Sequence, residues 1–96
     1  MSATVLIYLT DWCPYCHRAK ALLTKKKASF TEVDVDARPD LRSWLVSASG
    51  QRTVPQVFIN GQPVGGSSEL DALDRQGKLD GLLATPPSKD SPTLPV

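Results

Sequence analysis

Cys13-Pro14-Tyr15-Cys16-His17 sets two thiols three positions apart with an imidazole beside the second. Three chemistries use such a set: covalent haem attachment, a metal site, and thiol–disulfide exchange. Haem attachment is disfavoured because Met1 is the only methionine, which leaves no downstream thioether ligand, and no export signal is read at the N-terminus. A structural zinc site normally takes four protein ligands, and Cys13, Cys16 and His17 are all the cysteines and histidines of the chain. On a helix His17 also lies about 100° round from Cys16 and is expected to point away from the pair. No metal is expected. Thiol–disulfide exchange needs only the two sulfurs. A strand that runs into a helix would deliver Cys13 at the helix N-terminus, where unpaired N–H groups and the dipole favour a thiolate over a thiol. Cys13 is then the nucleophile. Cys16, one turn on and more buried, is within disulfide reach and serves as the resolving thiol.

The elements around the pair fit this placement. Thr4 to Leu9 is an almost unbroken apolar, β-branched run, the pattern of a central strand buried on both faces. From Pro14 to about Lys27, Tyr15, Ala19, Leu22 and Leu23 recur at helical spacing, and Lys25 to Lys27 suit a helix C-terminus. Pro14 at the first helical position has no N–H to leave unpaired. Ser29 to Asp36 alternates as a second strand, parallel to the first through the helical crossover. Arg38 to Ser49 forms a second helix with Leu41, Trp44, Leu45 and Ala48 inward and Gly50 at its end. Gln56–Ile59 and Gln62–Val64 flank Asn60-Gly61, a type I′ hairpin signal, and Pro63 marks an edge strand. Ser67 and Ser68 cap a last helix that ends near Gly77, Ser68 and Asp71 having a capping-box-like spacing. The order is βαβαββα, an α/β domain over residues 1–83. Residues 84–96 carry four prolines and little to bury, and are expected to be a disordered tail.

Composition narrows the function classes. Ninety-six residues, 41% hydrophobic and 22% charged, suit one modest core. A formal net charge of +1 and a single short lysine cluster do not point to nucleic acid. No stretch approaches the roughly 20 apolar residues that span a bilayer. With no positive N-terminal region, and with two cysteines close together in place of a disulfide framework, a reducing, cytoplasmic setting is expected, with a monomer as the default state.

Three segments together resemble the glutaredoxin family, of the dithiol kind: Cys13-Pro14-Tyr15-Cys16, Thr53-Val54-Pro55-Gln56-Val57-Phe58-Ile59 and Val64-Gly65-Gly66-Ser67-Ser68-Glu69-Leu70. The likeness runs from Thr4 to about Leu83. It implies a thioredoxin-like fold, a four-stranded mixed sheet flanked by helices, and glutathione-dependent thiol–disulfide oxidoreductase activity. It implies a cis Pro55 that turns the main chain of Val54 toward Cys13, so that Thr53 and Val54 pair with the backbone of glutathione as a short strand would. Gly65-Gly66 allows close backbone approach, and Ser67 and Ser68 at a helix N-terminus suit the γ-glutamyl carboxylate. Glu69 would reach the adjacent amino group, Arg42 the glycyl carboxylate, and Tyr15 would flank the groove.

The implied cycle has Cys13 attack a glutathionylated protein, after which a second glutathione clears the mixed disulfide. With a protein disulfide, Cys16 closes a Cys13–Cys16 disulfide that two glutathiones reopen. Glutathione is the co-substrate, the partners are disulfide-bearing or glutathionylated proteins, and glutathione reductase with NADPH acts indirectly. The chain departs from the family pattern where a lysine often precedes the first cysteine by three residues. Thr10 stands there, followed by Asp11, so Arg42 is expected to carry more of the anion binding and affinity for glutathione is expected to be weaker than typical. Glu69 replaces the commoner aspartate. Trp12 either covers the site or anchors a partner protein. Two other readings stay open: a thioredoxin-reductase-linked redoxin, disfavoured by the Gly65–Ser68 anion site, and a [2Fe-2S] module bridged by glutathione, disfavoured by Pro14.

Overall fold

Val5 to Leu9 form strand β1, whose odd and even residues feed two different cores. Val5, Ile7 and Leu9 enter one cluster, while Tyr8, with Leu6 beside it, enters the other. This two-sided burial is the physical content of the unbroken apolar run. The computed structural model of the chain describes residues 3–10 and 13–96.

From β1 the chain continues through α1 (Pro14–Lys25), β2 (Thr31–Asp34), α2 (Pro39–Ser49), β3 (Gln56–Ile59), β4 (Gln62–Gly65), α3 (Ser67–Arg75) and α4 (Leu79–Ala84). The four strands make one mixed sheet in the order β2-β1-β3-β4. β1 runs parallel to β2 and antiparallel to β3, and β3 runs antiparallel to β4. α1, α3 and α4 bury Cys16, Ala19, Leu23, Leu70, Leu79 and Leu83 against one face of the sheet. α2 buries Leu41 and Leu45 against the other, where Tyr8, Trp44 and Phe58 pack ring on ring with centroids 5.2 to 5.6 Å apart. Asn60 and Gly61 both take positive φ, as a type I′ turn requires, and Pro63 sits on the edge strand.

Four expectations change. β2 is shorter than the alternation of Ser29 to Asp36 suggests: Thr31 to Asp34 lie in register with Leu6 to Leu9, and the pairing ends with the Val35 N–H donating to the Leu9 carbonyl. Tyr15 belongs to the helical stripe by spacing but is 56% exposed, since the buried line of α1 runs through Cys16, Ala19 and Leu23. α4 lies beyond the helix expected to end near Gly77. It is six residues long and contains Gly81, too little to read from propensity, and it forms because Leu79 and Leu83 reach the core together.

The fourth change is at the C-terminus. Residues 85–96 contain no helix or strand, yet they do not stand away from the domain as a disordered tail would. The Tyr8 hydroxyl donates to the Pro95 carbonyl at 2.6 Å, Leu94 packs on the aromatic cluster, and a Cβ placed on Gly61 would lie 2.5 Å from the Pro92 ring. Among the described residues α2 is the one helix packed on that face of the sheet, so part of an apolar surface is left for the tail to cover.

Candidate active site

A sulfur caps the start of α1. Cys13 is the N-cap of α1, with extended dihedrals of φ −101° and ψ 112°, and Pro14 opens the helix behind it. Its Sγ accepts a hydrogen bond from the Cys16 backbone N–H at 3.3 Å, the position a serine or aspartate oxygen takes in an ordinary cap. A thiolate at this atom accepts that bond more strongly than a thiol does.

Cys16 has a different environment. It is 1% exposed, packed with Ala19 and Leu23 in the α1 face of the core. Burial pushes its thiol from 9.0 up to about 12. The hydrogen bond with Cys13 and the charge of Cys13 add to the rise, against a backbone hydrogen bond with Thr10 and the charge of Lys20. One cysteine is thus reachable and the other is kept protonated near neutral pH. Both are free thiols. His17 faces solvent, and among the described residues no cluster of three metal-ligating side chains forms.

The second wall comes from the segment before β3. The Val54–Pro55 peptide bond is cis, and the Cys13 thiol donates to the Val54 carbonyl at 3.4 Å. Val54 and Pro55 then line an open groove of about 240 Å³ together with Tyr15, Thr53, Gly66, Ser67, Ser68 and Glu69. The groove's far wall is the start of α3, whose N-cap is Gly66. The capping pair is therefore Gly66 and Glu69, not Ser68 and Asp71. Glu69 Oε2 accepts from the Gly66 N–H at 3.2 Å, and Asp71 instead pairs with Arg75 at 2.8 Å. A side chain on Gly66 would put its Cβ 3.1 Å from the Pro55 carbonyl oxygen, so the bare backbone at Gly66 is what lets the two walls come this close.

Eight of the residues expected to bind a ligand are brought together in this way: Tyr15, Thr53, Val54, Pro55, Gly66, Ser67, Ser68 and Glu69. Arg42 is not among the lining residues. It sits half-buried on α2, in the first turns of that helix, with its backbone N–H bonded to the Arg38 carbonyl. Trp12 and Asp11 lie outside the described residues. Gln51 lines the groove without having been singled out from the sequence. Its only signal there is its place two residues before Thr53, in a loop whose course the sequence does not reveal.

A family model described as Glutaredoxin matches residues 5–64, which is more than half of the chain. The chain belongs to the glutaredoxin family. A glutaredoxin of Pseudomonas aeruginosa is 51% identical over 80 residues, covering 83% of this chain and 95% of its own. Among solved structures, the glutaredoxin of Brucella melitensis aligns with a TM-score of 0.80 at 50% identity, over 88% of this chain and 91% of that one. A buckwheat glutaredoxin in complex with glutathione aligns with a TM-score of 0.79 at 32% identity, over 84% of this chain and 76% of that one. The fold of this glutaredoxin is accordingly thioredoxin-like, and as a glutaredoxin it is a thiol–disulfide oxidoreductase. No helix among its described residues is long and apolar enough to cross a membrane.

Proposed function

We propose that the protein uses glutathione to reduce glutathionylated proteins and protein disulfides, with Cys13 as nucleophile and Cys16 as resolving thiol. The observation that carries this reading is the 3.4 Å contact of Cys13 Sγ with Val54, because Val54 also lines the groove. A tripeptide lying along Thr53 and Val54 would bring its cysteine sulfur to the only exposed end of the dithiol. Its γ-glutamyl carboxylate would meet the N–H groups at the start of α3, beside Ser67 and Ser68, and its ammonium would meet Glu69. The buckwheat complex supports this choice of ligand.

In the one-cysteine route, the Cys13 thiolate attacks the glutathione sulfur of a mixed disulfide. The Cys13–glutathione bond forms, the old S–S bond breaks, and the client leaves as a thiolate that takes a proton from water. A second glutathione thiolate then attacks the bound glutathione sulfur, forming glutathione disulfide and returning Cys13. In the two-cysteine route Cys13 forms a mixed disulfide with a client, and Cys16 loses its proton as it attacks Cys13, closing the Cys13–Cys16 bond and freeing the client. Two glutathiones reopen it. Glutathione reductase and NADPH, in a reducing cytoplasm, would restore the pool. Arg42 stays assigned to the glycyl carboxylate by resemblance to the family, and loss of glutathione affinity in Arg42→Ala is its test.

The assay is NADPH consumption with glutathione, glutathione reductase and a small glutathione mixed disulfide. Cys13→Ser is expected to abolish turnover and Cys16→Ser to retain it, while a protein disulfide is reduced by neither variant at the wild-type rate. Full activity in Cys13→Ser, or turnover that requires thioredoxin reductase in place of glutathione, overturns the reading.

A further inference from the structure

Gln56 is the one buried polar side chain among the described residues, 1% exposed, at the start of β3 directly after the cis peptide. Its Nε2 donates at 2.9 Å to the Thr53 carbonyl and at 2.9 Å to Gln51 Oε1, while its own Oε1 has no partner. An orphaned buried acceptor destabilises by about 1–3 kcal/mol, so something must hold the amide this way round. Thr53 supplies it. A carbonyl only accepts, and turning the Gln56 amide over would set two oxygens against each other at hydrogen-bond distance. With Nε2 fixed, Gln51 can offer only its oxygen inward. Its nitrogen must then point outward, where it donates to Glu69 Oε1 at 3.3 Å. Glu69 Oε2 is held by the Gly66 N–H at 3.2 Å.

We propose that Gln56 and Gln51 form a one-directional amide relay that positions the Glu69 carboxylate for a ligand's amino group at the end of the groove. The assignment rests on glutathione, with its γ-glutamyl ammonium, as the occupant. Glu69 is exposed and has three side-chain torsions, so a free carboxylate there would sample many directions and lose rotamer entropy on binding. The relay holds one oxygen and the helix cap the other, and each oxygen keeps a further lone pair for an incoming N–H. Gln51 and Gln56 are positioning residues, acting through Glu69 and remote from the reacting sulfurs. The relay also ties the Thr53–Pro55 wall to the α3 wall, so ligand direction and groove width share one support.

The test compares kcat/KM for two small mixed disulfides, one made with glutathione and one with its analogue lacking the α-amino group, both turned over with glutathione and glutathione reductase. Gln51→Ala is expected to lower kcat/KM for the glutathione substrate by about three- to tenfold, the effect of one ordinary, solvent-exposed hydrogen bond, and to change the deaminated substrate by less than about twofold. Gln51→Glu is expected to lose more, because it cannot donate and sets a like charge against Glu69. Gln56→Met, close in volume, is expected to reproduce the selective loss. Gln51 is exposed, so its variants fold whether or not the buried Gln56 variant does, and thermal melts verify this. Equal loss on both substrates, or no loss on either, overturns the relay. A wild-type protein indifferent to the amino group overturns both the relay and the placement of the γ-glutamyl end, whereas relay failure alone leaves the wild-type preference intact in every variant.

Discussion

Cys13 Sγ and the Val54 carbonyl oxygen stand 3.4 Å apart, which joins a helix cap to a loop 41 residues further along the chain. Two independent local features meet there. One is a sulfur taking the place of a capping oxygen, and the other is the cis Val54–Pro55 peptide bond just before β3. The Cys13 sulfur is thereby placed beside Val54, which lines the groove.

The unequal burial of the two cysteines predicts unequal labelling. Iodoacetamide near neutral pH is expected to modify Cys13 in the native protein and Cys16 only after denaturation, because Cys16 is enclosed and its thiol is pushed up to about 12. Mass spectrometry of labelled peptides reads this directly. Rapid native labelling of Cys16 would contradict the burial.

The same raised thiol makes a prediction about stability. Cys16 titrates near 9.0 when unfolded and near 12 when folded, so the folded state holds its proton over an interval in which the unfolded state has lost it. This contribution is fully present below about pH 9 and is lost as pH rises from there toward 12. Urea melts of the reduced protein are expected to show stability falling with pH above that point, with a shallower fall in Cys16→Ala. Identical slopes in the two proteins would count against the assignment.

Gly65 has φ +116°, and an added Cβ would lie 2.8 Å from Glu69 Cγ. Gly65→Ala is expected to lower stability by about 1–3 kcal/mol through backbone strain, a fall in Tm of at least about 4 °C. It should also push Glu69 from its cap and weaken glutathione binding, which calorimetry would detect. A variant with wild-type Tm and affinity would show that the contact relaxes freely.

Removing residues 86–96 takes away the Pro95 acceptor of the buried Tyr8 hydroxyl and the Leu94 contact on the aromatic cluster. The truncated protein is expected to lose about 1–3 kcal/mol, visible as a lower Tm. Turnover of small mixed disulfides should persist, because the groove residues are contributed by other segments. An unchanged Tm would mean that the tail adds nothing to the fold.

Lys26 joins three helices at once, its Nζ 2.6 Å from Asp74 and 3.1 Å from Asp80, and the hydrogen bond to Asp74 raises its pKa. Lys26→Met is expected to lower Tm at low ionic strength, with the difference shrinking as salt is added, since salt screens partly exposed pairs such as the one with Asp80. A difference independent of salt would point to lost packing of the aliphatic stem.

Much of this molecule follows rules that act within a few residues, and those parts are legible without the structure. The apolar run of β1, Pro14 behind Cys13, Gly50 at the end of α2 and Asn60-Gly61 each satisfy a local demand for burial, φ or a free N–H, so the strand-to-helix delivery of Cys13 can be read directly. The resemblance of three segments to one family located eight residues of the groove. The tertiary structure decided what depends on distant parts of the chain meeting. Gln51 reaches Glu69 across 18 residues and Tyr8 reaches Pro95 across 87, and neither pairing leaves a periodicity or a propensity to detect. The polarity of the Gln56 amide is likewise invisible in a string of letters, because it is set by which carbonyl the folded loop turns inward. Short-range sterics and hydrogen bonding placed Cys13 at the head of α1, and long-range packing shaped the groove beside it.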